Sequence, residues 1–366
     1  MTKELTLMQF IQELRKQNIS PREYKKQVDL FLDIKSRNKG IPLSGQFEIT
    51  SLCNLDCKMC YVHMNKAKVL PASFWKRIMK EAHEAGMIKA VLTGGECLTH
   101  PDFEEIYLFL QSMGVEVTVM TNGILLDEQK LDFFKTHRPS MIQITLYGSN
   151  EEAYEKVTVR RMFKTVYENI LRIKEADLPL RIAITPNKYM FEDFKALLTL
   201  VEELNLPYKI NNSLVSPREE TGRDTEDLSL DQYVELHKIR SAMHNIHLEQ
   251  EDVLEIPETS NTSQKGLPCG GGRSGFHITY DGKMAPCSDL LFLGEDLHKI
   301  SFTEAWVRIN KEANNFPLPQ ECLICPYVEH CQMCPALHYD PNNPGHKNRK
   351  VCQRTIRFVQ EGLIKL

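Results

Sequence analysis

No run of this 366-residue chain is apolar for long enough to cross a membrane, and its first residues, MTKELTLMQF, lack the basic-then-apolar pattern of a secretory signal. Charge of one sign is missing too. Lys and Arg number 45 against 49 Asp and Glu, a net charge of −4, so there is no basic footprint for nucleic acid. No segment repeats at a fixed period, which sets aside solenoids and propellers. The expectation is a cytoplasmic protein whose partners include neither membrane nor nucleic acid. What the chain does have is cysteine, eleven in all. Without a secretory signal such a set points to metal or redox chemistry rather than a disulfide framework.

Hydrophobic periodicity divides the chain into regions. Residues 1–42 are expected to form a helical cap. Leu7, Phe10, Ile11 and Leu14 recur at helical spacing, and Pro21 opens a second helix through Val28, Leu30, Leu32 and Ile34. A peptide-docking module is the alternative for this segment. Across 43–230, short apolar strands (46–50, 90–93, 115–121, 142–146, 181–185 and 208–211) alternate with helices (72–85, 103–113, 127–136, 151–157, 163–176 and 189–204). That alternation predicts an α/β fold, a parallel sheet with helices outside and functional groups at the carboxyl ends of the strands. A polar stretch follows, containing Arg218 and Arg223, and 231–265 is expected to be a linker. Residues 266–366 hold seven of the cysteines.

The most informative cluster is Cys53, Cys57 and Cys60 in SLCNLDCKMCYVHM, a C-x3-C-x2-C loop directly after the first strand. A structural zinc site usually shows paired C-x2-C knuckles, and this loop has no fourth ligand nearby. A [4Fe–4S] cube normally takes four thiolates. Three leave one iron open to bind and transform a small molecule. Further motifs stand at strand ends: Thr93-Gly94-Gly95-Glu96, Thr121-Asn122-Gly123, and ITLYGS with Thr145 and Tyr147. Two glycines let backbone approach a ligand, and a carboxylate accepts from an ammonium group. Asn-Gly alone also suits an ordinary turn.

This combination resembles the radical S-adenosylmethionine (radical SAM) superfamily, whose signature is the C-x3-C-x2-C spacing. The resemblance implies a partial (β/α)6 barrel in which Cys53, Cys57 and Cys60 hold a [4Fe–4S] cluster. Its open iron chelates SAM, and electron transfer yields a 5′-deoxyadenosyl radical that abstracts hydrogen from an unactivated carbon. It implies that Gly94, Gly95 and Glu96 hold the methionine ammonium, that backbone at Tyr61 and Val62 contacts adenine, and that Asn122 and Thr145 lie at the cofactor. Of Arg160 and Arg161, one takes the cofactor carboxylate, and Arg161 is the candidate carried forward; a solvated pair is the alternative. Thr185 and Asn187, and Asn211, Asn212 and Ser213, end the fifth and sixth strands as possible lining of the substrate mouth. The superfamily commonly has Pro after GGE, whereas here Cys97 follows. Cys97 is either a packing residue or a catalytic thiol that gives a hydrogen atom to a substrate radical.

The C-terminal cysteines fall as C-x12-G-x4-C (Cys269, Gly282, Cys287), then C-x2-C-x5-C-x2-C (Cys322, Cys325, Cys331, Cys334), then Cys352. FHITYDGKMAPC reads as a hairpin turning at Asp281-Gly282. Two zinc sites can be built from such a set. Coupled to the upstream triplet, the pattern resembles the SPASM domain of radical SAM enzymes, which holds two auxiliary [4Fe–4S] clusters. That resemblance assigns Cys269, Cys287 and Cys334 to the first cluster, one ligand short, and Cys322, Cys325, Cys331 and Cys352 to the second. The spacing of the last pair, x2 where the family has x3, weakens the assignment of Cys334.

Enzymes with this domain pair mostly modify peptides. The expected function is a thioether or carbon–carbon crosslink in a ribosomally made peptide. Peptide epimerisation, with Cys97 as hydrogen donor, and formylglycine formation in sulfatases are the alternatives. The latter enzymes typically have Pro after GGE and Asp directly after the second SPASM cysteine, where this chain has Cys97 and Ser288. A plain iron–sulfur carrier has no use for a SAM pocket. The resemblance also implies a flavodoxin or ferredoxin as electron donor.

Overall fold

The computed structural model describes residues 6–17, 19–62, 69–211, 214, 228–242, 266–317, 320–327, 331, 334, 336 and 349–364. Asn212, Ser213, Arg218 and Arg223 lie outside the described residues. Two helices open the chain, α1 (Leu7–Arg15) and α2 (Pro21–Lys39). The barrel follows as β1 (Ser44–Glu48), α3 (Ala72–Glu84), β2 (Lys89–Thr93), α4 (Phe103–Ser112), β3 (Glu116–Thr121), α5 (Glu128–Thr136) and β4 (Met141–Thr145). It continues through α6 (Glu151–Thr158), α7 (Phe163–Glu175), β5 (Leu180–Ile184), α8 (Phe194–Glu203) and β6 (Tyr208–Ile210). Beyond it come α9 (Leu230–Ala242), β7 (Gly275–Ile278), β8 (Lys283–Ala285), β9 (Glu295–Asp296), α10 (Phe302–Asn315), α11 (Gln320–Leu323) and α12 (Arg349–Gln360).

Local chemistry explains the boundaries. The Ser20 hydroxyl accepts from the Glu23 amide at 3.1 Å at the start of α2, with Pro21 in the first turn, where a missing N–H costs nothing. Asp127, Asn150 and Ser301 cap α5, α6 and α10 in the same way. Lys25 of α2 reaches Glu116 at 3.0 Å, and Asp29 reaches Lys89 at 2.7 Å. Glu116 and Lys89 open β3 and β2, so α2 lies across the amino ends of these strands.

β1 to β6 are parallel neighbours in sequence order, the arrangement the βα alternation predicts. The face turned to the helices is apolar. Phe47 meets Trp75 edge-on at 6.4 Å and Phe276 at 5.7 Å, and all three are buried. Burying an aromatic or branched side chain of this kind contributes roughly 1.5–3 kcal/mol.

Two boundaries differ from expectation. β7 pairs in parallel with β1, so the hairpin strands β7 and β8, with β9, extend the barrel sheet to nine strands rather than standing as a separate layer. The expected linker begins with helix α9, which meets α12 through Asp231 and Arg357 at 3.4 Å. Polar residues surround its buried Val234 and Leu236, so no clear apolar stripe announces it. The hairpin turn is as expected, with Gly282 at φ +85°. Among the described residues no helix is long and apolar enough to cross a membrane.

Candidate active site at the carboxyl ends of the strands

The cysteine loop leaves β1 and is held by the ends of its neighbours. From beyond β2, the Gly95 amide donates to Thr50 O at 2.8 Å and the Glu96 amide to Leu52 O at 2.7 Å. From beyond β3, Asn122 Nδ2 donates to Asn54 Oδ1 at 2.6 Å. The last turn of α6 accepts from the loop: Asp56 N to Thr158 O at 3.3 Å and Lys58 N to Val157 O at 2.9 Å. Asn187, past β5, sets its amide 2.9 Å from the sulfur of Met59. Each contact satisfies a backbone or amide group that a buried loop would otherwise strand.

The GG pair is dictated by this contact. Gly94 has φ +151°, and a Cβ there would meet Thr50 O at 2.3 Å; at Gly95 it would meet Leu52 O at 2.3 Å. Glu96 is 1 % exposed. Its Oε1 accepts from Thr121 Oγ1 at 2.8 Å and Leu98 N at 3.1 Å, and its Oε2 from Asn122 N at 2.7 Å. Burial raises its pKa above the usual carboxylate range, against the pull of these donors. GGE and TNG are thus one bonded unit.

Cys53, Cys57 and Cys60 sit on this loop, Cys57 buried and the other two half-buried. Burial pushes the Cys53 thiol up to about 12, with a further upward push from Glu96 and Cys60. Thiols in such a setting become thiolates only when a cation is supplied. Two buried donors in the loop's surroundings have no hydrogen-bond partner among the described residues: Asn54 Nδ2 and the hydroxyl of Tyr154. Tyr154 lies on α6, fully buried, within the electrostatic reach of Cys57 and Cys53. Cluster sulfur is the acceptor such donors need. The residues present therefore fit a [4Fe–4S] cluster. Among the described residues no three His, Cys, Asp or Glu side chains are gathered to grip a single metal ion. A cube, with a ligand at each iron, spreads its thiolates more widely than one ion does.

This geometry makes a specific prediction. Donors to cluster sulfur stabilise the more negative, reduced state. Tyr154→Phe should lower the reduction potential of this cluster by about 40–60 mV, one hydrogen bond of about 1 kcal/mol in a one-electron couple. An EPR-monitored redox titration reads the shift. An unchanged potential would detach the hydroxyl from the cluster.

The other expected site residues are placed as follows. Thr145 is half-buried at the end of β4, and Tyr61 is half-buried directly after Cys60. Asn211 Nδ2 donates to Thr185 Oγ1 at 2.8 Å. Arg161 is exposed and paired with Glu155 at 2.8 Å, so the structure does not bring it into this bonded unit. Arg160 is exposed too, and follows Val159, whose φ of 62° is unusual for a β-branched residue. Cys97 is fully buried in a 3₁₀ turn (Cys97–Thr99), and its thiol donates to Met120 O at 3.2 Å. Desolvation and Glu96 hold that thiol well above the ordinary range, protonated.

The later cysteines gather in two neighbourhoods. A Cβ on Gly271 would lie 3.5 Å from Cys269 Sγ and 3.8 Å from Cys287 Cβ. The Cys287 thiol is pushed up to about 12 by burial, then by Asp289, Cys269 and Cys334. In the second, Cys325 N donates to Cys322 O at 3.3 Å, and Thr355 on α12 donates to Cys331 Sγ at 3.4 Å, one turn beyond Cys352. The residues that sequence reasoning missed are Asn54 and Tyr154. Asn54 sits inside the motif, but only the fold shows that its amide is stranded.

A parallel partial barrel with a three-cysteine loop at its mouth defines an iron–sulfur enzyme that uses SAM. The family model described as "Radical SAM superfamily" matches residues 47–201, and that stretch, which carries the three-cysteine loop and the GGE and TNG turns, is a radical SAM domain. It is similar to the AdoMet-dependent heme synthase of Methanosarcina barkeri, 25% identical over 320 residues, covering 80% of this chain and 91% of that protein. It is also similar to the antilisterial bacteriocin subtilosin biosynthesis protein AlbA of Bacillus subtilis, 22% identical over 338 residues, covering 89% and 74%. Among solved structures, SuiB of Streptococcus suis bound to S-adenosylmethionine has a TM-score of 0.70 at 16% identity, over 94% of this chain and 86% of that one. SuiB bound to its precursor peptide SuiA has a TM-score of 0.68, also at 16% identity, over 92% and 82%.

Proposed function

We propose that this enzyme forges a thioether or carbon–carbon crosslink in a ribosomally made peptide. The observation that carries the reading is a second group of cysteines built onto the same sheet: β7 pairs with β1 and places Cys269 and Cys287 near the amino end of that strand, whose carboxyl end leads into the three-cysteine loop. The names of AlbA, a bacteriocin biosynthesis protein, and of SuiB's precursor peptide support a peptide substrate.

A cluster and SAM, when bound, supply an electron and a carbon-centred radical that takes a hydrogen atom from the substrate. Cys53, Cys57 and Cys60 would hold the cluster. Gly94, Gly95 and Glu96 would hold the SAM ammonium, Asn122 and Thr145 would flank the cofactor, Arg161 would have to leave its pair with Glu155 to serve the carboxylate, and Tyr61 would meet adenine. A crosslink removes two protons and two electrons from the peptide, one of each leaving together as the abstracted hydrogen atom. Cys269, Cys287 and Cys334, and Cys322, Cys325, Cys331 and Cys352, would hold the acceptor for the second electron. Flavodoxin or ferredoxin would deliver the separate electron used to cleave SAM. Cys97 is the thiol that an epimerisation would need; its burial and its bond to Met120 O favour packing instead.

The test is the mass of a candidate precursor peptide, encoded beside this chain's gene, after anaerobic incubation with enzyme, SAM and reductant in D2O. Loss of two hydrogens with a linked fragmentation pattern is expected. Gain of one deuterium without oxidation would select epimerisation, and an aldehyde on Cys or Ser would select formylglycine formation. An unchanged peptide alongside accumulating 5′-deoxyadenosine would remove it as the substrate.

A further inference from the structure

The side of the sheet away from the helices carries an arginine that has no counter-ion among the described residues. Residues paired across parallel strands point to one side. The row Phe47–Leu92 and Val119–Ile142–Leu180 shares the side of Phe47, which meets Trp75 of α3. The next row, Glu48–Thr93 and Met120–Gln143–Arg181, therefore projects into the barrel. Lys209 of β6, paired with Ala183, shares that side.

Arg181 directs Nε and Nη2 at one neutral oxygen, Gln143 Oε1, at 3.1 and 2.7 Å. No carboxylate pairs with Arg181 among the described residues, and its Nη1 has no partner there. Gln143 is 6 % exposed, and its Nε2 has no partner among the described residues either. The acid of this row, Glu48, lies four strands away and is bonded to His277 at 3.1 Å. A half-buried guanidinium bonded only to a neutral oxygen suits an anion. The free N–H groups of Arg181 and Gln143 match the forked geometry of a carboxylate.

We propose that Arg181 and Gln143 form a carboxylate-binding subsite for the substrate, taking an Asp or Glu side chain beside the carbon under attack. Gln143 stands two residues before Thr145 on the same face, about 6.6 Å along the strand. A carboxylate held there lies one side-chain layer below the expected cofactor. This inference rests on the peptide reading above.

The test uses the full-length, anaerobically reconstituted enzyme with SAM and small probes that need no turnover. Binding of N-acetyl-glutamate methylamide, its neutral glutamine counterpart, and N-acetyl-glutamine (a terminal carboxylate only) is measured by ligand-dependent thermal shift. The side-chain acid should bind at least about tenfold tighter than the neutral probe, the ratio expected for one charged hydrogen bond. Arg181→Gln should remove that preference, and Arg181→Lys, a point charge without the fork, should retain part of it. Equal binding of acid and neutral probes would overturn the proposal. So would a preference surviving Arg181→Gln, a preference confined to the terminal carboxylate, or a parallel loss of SAM affinity in Arg181→Gln. If Arg181→Gln does not fold, Arg181→Lys and the wild-type probe ratio decide. A positive probe result with no peptide processed would uphold the subsite and reject the peptide reading.

Discussion

Cys53→Ala is expected to reduce 5′-deoxyadenosine formation to background while leaving a folded protein. The loop that carries Cys53 is fixed by backbone bonds from Gly95, Glu96, Val157 and Thr158, and these do not use the thiol. The loss of one half-buried thiol should therefore cost only about 1 kcal/mol. Two remaining thiolates cannot hold a cube that already leaves one iron open. On the proposed assignment of two further clusters to the C-terminal cysteines, iron and sulfide content should fall by about one third, with those sites still loaded. Cys97→Ala provides the contrast. Its thiol donates to Met120 O inside the core, so iron should stay unchanged while stability drops by about 1 kcal/mol. Iron analysis and the deoxyadenosine assay under argon read both variants. A Cys53→Ala enzyme that cleaves SAM at the parental rate would refute the assignment of the loop.

Much of the fold was legible because local signals agreed. Strand and helix spans came within about two residues wherever a cap stood beside an apolar period, as at Asp127 or Asn150. α8 was the exception: residues 191–193 form a 3₁₀ turn where the apolar run suggested one helix. The parallel pairing of β7 with β1 was not legible, since strand partners distant in sequence leave no local trace. α9 was hidden by its polar surface. At the site, the cysteine and glycine motifs were visible as chemistry, but not that the Glu96 side chain turns into the protein to bind Thr121 and Asn122. Arg181 escaped notice for a related reason. A single arginine in LPLRIAIT looks like an edge residue until register shows which face it shares with Gln143.

With Glu96 at the SAM ammonium, as proposed, its carboxylate links SAM binding to pH, and Glu96→Gln should break that link. In the cofactor-free protein desolvation raises its pKa above the unfolded value of about 4.3. The folded state thus holds a proton that the unfolded state has released. The stability this contributes is complete below the unfolded pKa and is lost as pH rises through the folded one. An ammonium group at the GGE turn favours the ionised form, so SAM binding expels that proton. The wild-type Kd for SAM should therefore tighten by up to about tenfold per pH unit below the folded pKa and level off above it. Glu96→Gln should bind SAM with no such slope and about 10- to 100-fold more weakly at pH 8, the loss of a charged hydrogen bond. It should also lower stability by about 1–3 kcal/mol, because an amide NH2 would face one of three buried donors. Anaerobic calorimetry across pH 5 to 8 reads the slope, roughly the range between carboxylate and neutral conditions. A wild-type slope that persists in Glu96→Gln would assign the proton to another group and leave Glu96 as a brace between the ends of β2 and β3.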